Sequence, residues 1–396
     1  MRMTDLAMDA PPKARRRLSA MRGAVRRAAP ALLLYAAVRA LGVAALAVSA
    51  GASGKSAHEL LSARWDSLWY VRVVAYGYDF EKVADDGRVL PAKAFFPLLP
   101  WLEKAGSAVT SLSPADVGLV VSALAGLAAA AGLYAIGELL YGRRAGIMLA
   151  VLWAALPVGI VQSMAYSESL FTALAAWGVY AVLTGRWLCA GTLSVLAGLT
   201  RPVGAAVVAA VWVGVWLAWR EGRRGGADGG PRPRMVIAAV IAPLGWVGYV
   251  VWVGFATGKP LGYLDVQGAW GNGFDGGWAF ARFIAEKFGN GPAGVAAGLG
   301  LLVAMGLLVW VCVLCVRQRQ PWPLLAYAGV VTVLAVAASG YFGSKPRLLL
   351  PAFPLLLPVA VALARARPAR AAAVLVVTAV TSAAYGAFWL LGSGPP

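Results

Sequence analysis

Long apolar stretches broken by short polar ones dominate the chain, and strict alternation of apolar and polar positions is absent. Apolar runs near 30–50, 116–138, 145–162, 168–185, 187–200, 202–219, 235–256, 293–316, 322–340, 347–364 and 371–391 each approach the ~20 residues that a helix needs to cross a bilayer. The pattern predicts an all-α polytopic membrane protein of about eleven transmembrane helices, within a range of ten to twelve. Short strands of a transmembrane β-barrel read differently. Two connections are long, 51–115 and 257–292, and both fall on the same side in this arrangement. Residues 1–29 form a basic tail, and 30–391 a single transmembrane domain. Val48-Ser49-Ala50 resembles a signal-peptidase site, but a run this long fits a retained anchor better.

Composition supports the membrane reading. Of 396 residues, 60% are hydrophobic and 13% charged, about half the charged share of soluble proteins, and mean hydropathy is +0.73. The net charge of +18 could point to nucleic acid, but its distribution argues for the positive-inside rule. Of the 35 Lys and Arg, 21 lie in the tail and the short connections of one side, whereas 12 of 17 acidic residues lie on the other. The N-terminus is therefore expected in the cytoplasm and the two long loops outside, with no nucleic-acid partner. Richness in Ala, Gly and Arg fits a GC-rich bacterial genome, hence a bacterial plasma membrane. Cys189, Cys312 and Cys315 all sit in apolar runs and read as packing residues; His58 is the one histidine, which excludes a multi-histidine metal site.

Candidate chemistry gathers on the outer side. Arg64, Trp65, Asp66, Trp69 and Tyr70 lie in the first long loop. At 3.6 residues per turn, Trp65, Trp69, Val73 and Tyr76 share a face, which predicts an interfacial helix with Asp66 at head-group level. The run Ala94–Trp101, with Pro97 near its start, predicts a second short helix, interfacial or re-entrant. Tyr166, Ser167 and Glu168 stand at the outer start of a span; Ser167 could cap it and Glu168 suit its positive end, or both could bind hydroxyls. Arg201, Lys345 and Arg347 sit at outer span ends, where long cations ordinarily snorkel to the interface. Their shared side with Asp66 offers an alternative, a clamp on a lipid-linked phosphate. Gln267 and Trp270 in the second long loop could shape a sugar pocket or belong to a plain connector.

The ordered set W-D-S-L-W-Y…A-Y-G-Y at 65–78, A-F-F-P-L-L-P at 94–100, Y-S-E-S-L-F at 166–171 and T-R-P at 200–202 resembles the PIG-V family of GT-C glycosyltransferases. K-P-R-L-L-L-P-A-F-P at 345–354 is similar to a late-span motif of bacterial relatives. The resemblance implies a GT-C-like membrane fold, an outer-face active site, a polyprenyl-phosphate-linked mannose donor and Asp66 as general base. Where eukaryotic relatives carry R-S-N-G-like sequence, this chain has Thr200-Arg201-Pro202-Val203-Gly204, which leaves the acceptor open among glycan, lipid and protein.

The expected activity is inverting transfer, with Arg201, Lys345 and Arg347 on the leaving phosphate. Arg64, Trp65, Trp69, Tyr70, Tyr166, Ser167, Glu168, Gln267 and Trp270 are the expected sugar or acceptor contacts. No cofactor is expected, because the cations already serve the phosphate; a divalent metal on Asp66 and Glu168 is conceivable but unnecessary. A transporter or lipid flippase without bond chemistry is the alternative, and a non-catalytic scaffold a third.

Overall fold

The computed structural model describes residues 12–224, 232–392 and 394. The stretch 1–11 of the basic tail lies outside the described residues. Helix α1, Pro12–Ala52, carries the rest of the tail directly into the first span.

The first long connection is folded. After α2 (Ala57–Ser62), capped by Ser56 Oγ, comes α3 (Asp66–Tyr76), which turns Trp69 and Val73 inward and ends at Gly77, φ +75°. The expected apolar face fails at its last turn, because Tyr76 is 69% exposed. A hairpin follows, β1 (Glu81–Val83) against β2 (Val89–Pro91), with Lys82 opposite Leu90. This small sheet is an addition to the all-α reading; its strands are too short to show as alternation. Then α4, Leu98–Val109, buries Leu99, Pro100 and Glu103 and leaves Trp101 exposed. Twelve residues cannot cross a bilayer, and α4 lies against α3 and the next helix, α5 (Pro114–Tyr141).

Helix α6, Arg143–Ala154, breaks into a 3-10 turn, Pro157–Ser163, bent by 85°. Pro157 has no N–H to continue the ladder, and the carbonyls of Ala154 and Gly159 at the break accept from the half-buried Arg39 of α1. The expected span 145–162 is thus an interrupted one. Next come α7 (Glu168–Leu183), α8 (Trp187–Gly198) and α9 (Ala205–Arg224). The pair α10 (Pro233–Ile241) and α11 (Leu244–Thr257) makes one long span, Pro233–Thr257. The second connection forms α12 (Gly262–Ala269) and α13 (Trp278–Lys287). The remaining helices are α14 (Gly291–Arg317), α15 (Trp322–Ala337), the single turn α16 (Lys345–Leu348), α17 (Leu357–Arg365) and α18 (Pro368–Leu391). The segments Phe342–Leu348 and Phe353–Arg365 are bent by 76°, so the expected span 347–364 is also interrupted.

All eleven apolar runs are helical. Six are long and apolar enough to cross a membrane alone, two more are the bent pairs, and Glu168–Leu183, Trp187–Gly198 and Trp322–Ala337 are shorter. The core lies among α1, α5, α6, α7, α15, α17 and α18 and contains the fully buried Trp153, Tyr166, Phe171, Tyr327 and Phe353. Lipid tails compete for apolar surface, so small residues set how closely such helices approach. At Gly137 of α5 a Cβ would stand 2.6 Å from Gly146 Cα of α6. At Gly245 of α11 it would stand 1.9 Å from the Val195 carbonyl of α8. Helix α14 is the outlier: only 6% of its apolar window is buried, so it lies on the perimeter.

Candidate active site

The site is assembled where helices stop. Trp65 has φ +48°, a region a bulky residue rarely adopts, and such strain gathers at functional sites. Arg64 holds the turn: its guanidinium covers the Trp65 ring at 4.0 Å and donates to the carbonyls of Leu390 (2.6 Å) and Gly392 (3.0 Å) at the end of α18. Ser67 Oγ donates to the Arg64 carbonyl at 2.6 Å. This tie makes Asp66 the first residue of α3, its N–H donating to Tyr166 Oη at 3.4 Å and its side chain 27% exposed.

The break after α6 delivers Tyr166, Ser167 and Glu168, and the α16 turn delivers Arg347; the two interruptions touch. Irregular backbone at membrane depth is tolerated where it is buried or lines a cavity. Arg347 donates through Nε to Glu168 Oε1 and through Nη2 to Asp66 Oδ2, with its guanidinium 4.5 Å from the Tyr166 ring centroid. Arg201, in the gap between α8 and α9, lies 2.5 Å from the same Glu168 oxygen and donates to Ser167 Oγ at 3.2 Å. Tyr70 Oη meets Ser167 Oγ at 2.9 Å. Glu168 is fully buried. Two guanidiniums and two carboxylates therefore balance, and Asp66 is the most solvent-accessible of the four. Among the described residues no hydrogen bond occupies Arg347 Nη1 or Arg201 Nη2.

Three expectations change here. Ser167 has αR backbone angles (φ −86°, ψ −4°) and no capping bond, because its hydroxyl serves Tyr70 and Arg201 instead. Lys345 does not join the cluster: its Nζ donates to the carbonyls of Ala335 (2.8 Å), Val336 (3.3 Å) and Ala338, closing the end of α15. Gln267 and Trp270 spend their donors on the Ala94 carbonyl (3.2 Å) and Pro91 carbonyl (3.1 Å), so their polar groups hold the first loop in place.

That bracing builds an aromatic wall behind α3. Trp69 stacks on Phe95 (5.5 Å) and meets Trp270 edge-on (4.7 Å), and Phe95 meets Tyr70 edge-on (5.5 Å). The Leu98 N–H donates to the Leu199 carbonyl at 2.9 Å, which joins the A-F-F-P-L-L-P segment to the T-R-P segment and fixes the start of α4 beside Arg201.

Glu103 escaped the sequence reading. It is fully buried on α4 against Gly118 of α5, where a Cβ would stand 2.5 Å from its Oε1. Neither carboxyl oxygen has a partner among the described residues, and burial pushes its pKa up to about 9. The available signal was one acid among the apolar positions of a short amphipathic helix. Among the described residues no three His, Cys, Asp or Glu side chains gather as a metal site, and Asp66 and Glu168 share an arginine. His58 lies apart, paired with Asp116 at 2.6 Å.

No protein-family model and no curated protein matches the sequence. Several solved structures are similar in fold. ArnT from Cupriavidus metallidurans bound to undecaprenyl phosphate superposes with a TM-score of 0.52 at 14% identity, covering 87% of this chain and 62% of that one. The Archaeoglobus fulgidus oligosaccharyltransferase in complex with Zn and sulfate superposes with a TM-score of 0.50 at 14% identity, covering 91% of this chain and 53% of that one. The chain spans less than two thirds of the length of either. The likeness is one of fold: the chain shares the polytopic helical architecture of these two proteins.

Proposed function

We propose that the chain is a membrane glycosyltransferase that moves a mannosyl residue from a polyprenyl-phosphate-linked donor to an acceptor hydroxyl at the outer face of a bacterial plasma membrane. The observation that carries this reading is the accessible Asp66 carboxylate bound to Arg347 beside Arg201. A base and two phosphate-seeking cations stand within one cluster, at the end of the bundle that bears both long loops. The GT-C-like fold and the sequence resemblance to the PIG-V family support it. So does the undecaprenyl phosphate bound by ArnT, for the class of lipid carrier.

In this mechanism the acceptor oxygen attacks the anomeric carbon while Asp66 takes its proton. The bond from that carbon to the phosphate oxygen breaks on the opposite face, and the electron pair leaves with the lipid phosphate. Charge grows on the leaving phosphate, so Arg201 and Arg347 stabilise the transition state more than the ground state. General-base assistance contributes ~10²–10⁴-fold. Trp65, Trp69, Tyr70, Tyr166 and Ser167 surround the reacting sugar or orient the groups that do. No metal enters the scheme.

The second reading is lipid translocation without bond chemistry, which the two broken spans favour. One experiment separates them. Purified protein receives radiolabelled polyprenyl-phosphate-mannose and membrane extract, and labelled product is followed for wild type and Asp66→Asn. Transfer by wild type alone supports the proposal. Movement of the lipid across vesicles without any new glycosidic product supports translocation.

A further inference from the structure

Helices α5, α7 and α8 leave between them a groove of about 550 Å³, within the ~300–1,000 Å³ of ordinary ligand sites. Its lining is apolar and includes Ala128, Ala173 and Leu193. Trp177 lies along it, fixed by a bond from Nε1 to the Ala128 carbonyl at 2.9 Å. The single charged residue of the lining is Arg186, at the far end of α7 from the acid–arginine cluster.

This groove is separate from the proposed reaction site. On α7, Leu174 and Trp177 lie about 240° and 180° round the helix from Glu168, at 3.6 residues per turn. The groove therefore backs onto the face turned away from Arg347. From Leu170 to Ala181 it runs about 16 Å at 1.5 Å per residue, and it ends on a guanidinium. A long apolar slot with one cation at its mouth matches an amphiphile with a single alkyl chain in the slot and an anionic head at the bilayer edge.

We propose that the groove holds one acyl chain of an anionic glycerophospholipid whose phosphate rests on Arg186. The bound chain braces the outward face of α7, the helix that presents Glu168. Cys189, exposed in the lining one turn beyond Arg186, reports occupancy.

The test uses the full chain in nanodiscs of phosphatidylcholine, with and without phosphatidylglycerol. The alkylation rate of Cys189 is read by peptide mass spectrometry, and retained lipid by native mass spectrometry. Phosphatidylglycerol is expected to slow alkylation several-fold and to be retained in preference to phosphatidylcholine. Arg186→Gln is expected to remove both effects and Arg186→Lys to keep them, at unchanged thermal midpoints. Equal alkylation in the two lipids, or protection that persists in Arg186→Gln, overturns the proposal. Protection by a polyprenyl phosphate in phosphatidylcholine, without protection by phosphatidylglycerol, overturns it as well. None of these readouts depends on sugar transfer.

Discussion

Arg347 donates directly to the carboxylate of Asp66, closing a contact across 281 positions of sequence. The base and the cation proposed to hold the leaving group are thus bound to each other. Under the proposed mechanism, a phosphate arriving at Arg347 competes with Asp66 for the guanidinium and frees the carboxylate for the acceptor hydroxyl. Arg347 keeps its second anchor on Glu168, which fixes the guanidinium while Asp66 moves.

Asp66→Asn separates chemistry from folding. Asp66 is partly exposed, and its loss leaves Arg347 and Arg201 still paired with Glu168. The thermal midpoint in detergent should therefore change little, while turnover falls by ~10²-fold or more. Single-turnover transfer measured beside thermal unfolding checks this, and wild-type turnover in the variant would remove Asp66 from the base role.

The buried pair Arg347 and Glu168 should behave as one energetic unit. Arg347→Gln leaves the fully buried Glu168 with Arg201 alone. Leaving a buried charge with no partner costs about 3–5 kcal/mol, and with Arg201 still on Glu168 the loss should fall below that range. Adding Glu168→Gln should recover part of that loss. A double-mutant cycle on unfolding midpoints measures it, and strictly additive losses would contradict the coupling.

Lys345 and Arg347 are two residues apart and should differ in kind. Lys345→Met removes the donors that close the end of α15 and should lower stability by ~1–3 kcal/mol, with the KM for lipid donor unchanged. Arg201→Lys loses the guanidinium fork, which should raise that KM or lower kcat with a smaller effect on stability. Donor titrations on both variants distinguish an architectural cation from a phosphate-binding one.

That pair also shows what the sequence could disclose. Hydropathy and helical period are local, so all eleven apolar runs and the two short helices Asp66–Tyr76 and Leu98–Val109 of the first loop were legible. The shared side of Asp66, Glu168, Arg201 and Arg347 followed from span order and charge bias. Their mutual neutralisation did not, since it depends on how the breaks at Pro157 and around Lys345–Leu348 turn the chain. Two residues apart on a helical turn means about 200° of rotation, which sends Arg347 to the acids and Lys345 to backbone carbonyls. The anchoring of Gln267 and Trp270 was hidden for a related reason: their partners are carbonyls of another loop, and sequence carries no mark of them.

Glu103 supplies a pH-dependent prediction. Its carboxyl is buried without a partner, and its pKa rises from 4.5 to about 9 on folding. A group raised in this way favours the folded state fully below pH 4.5, where both states hold the proton. As pH rises from there, the unfolded chain gives up the proton first, and stability falls until the folded pKa near 9 is passed. Glu103→Gln keeps the shape and loses the titration. Near pH 7.5 the variant should be more stable than wild type by on the order of 1–4 kcal/mol, because each tenfold change in proton affinity is worth about 1.4 kcal/mol. The difference should shrink toward pH 4.5. Unfolding midpoints of the two proteins across pH 4.5–9 in one detergent give the answer. A constant difference over that range would mean that Glu103 is ionised in the folded protein, and that α4 sits on α5 less tightly than the contact at Gly118 requires.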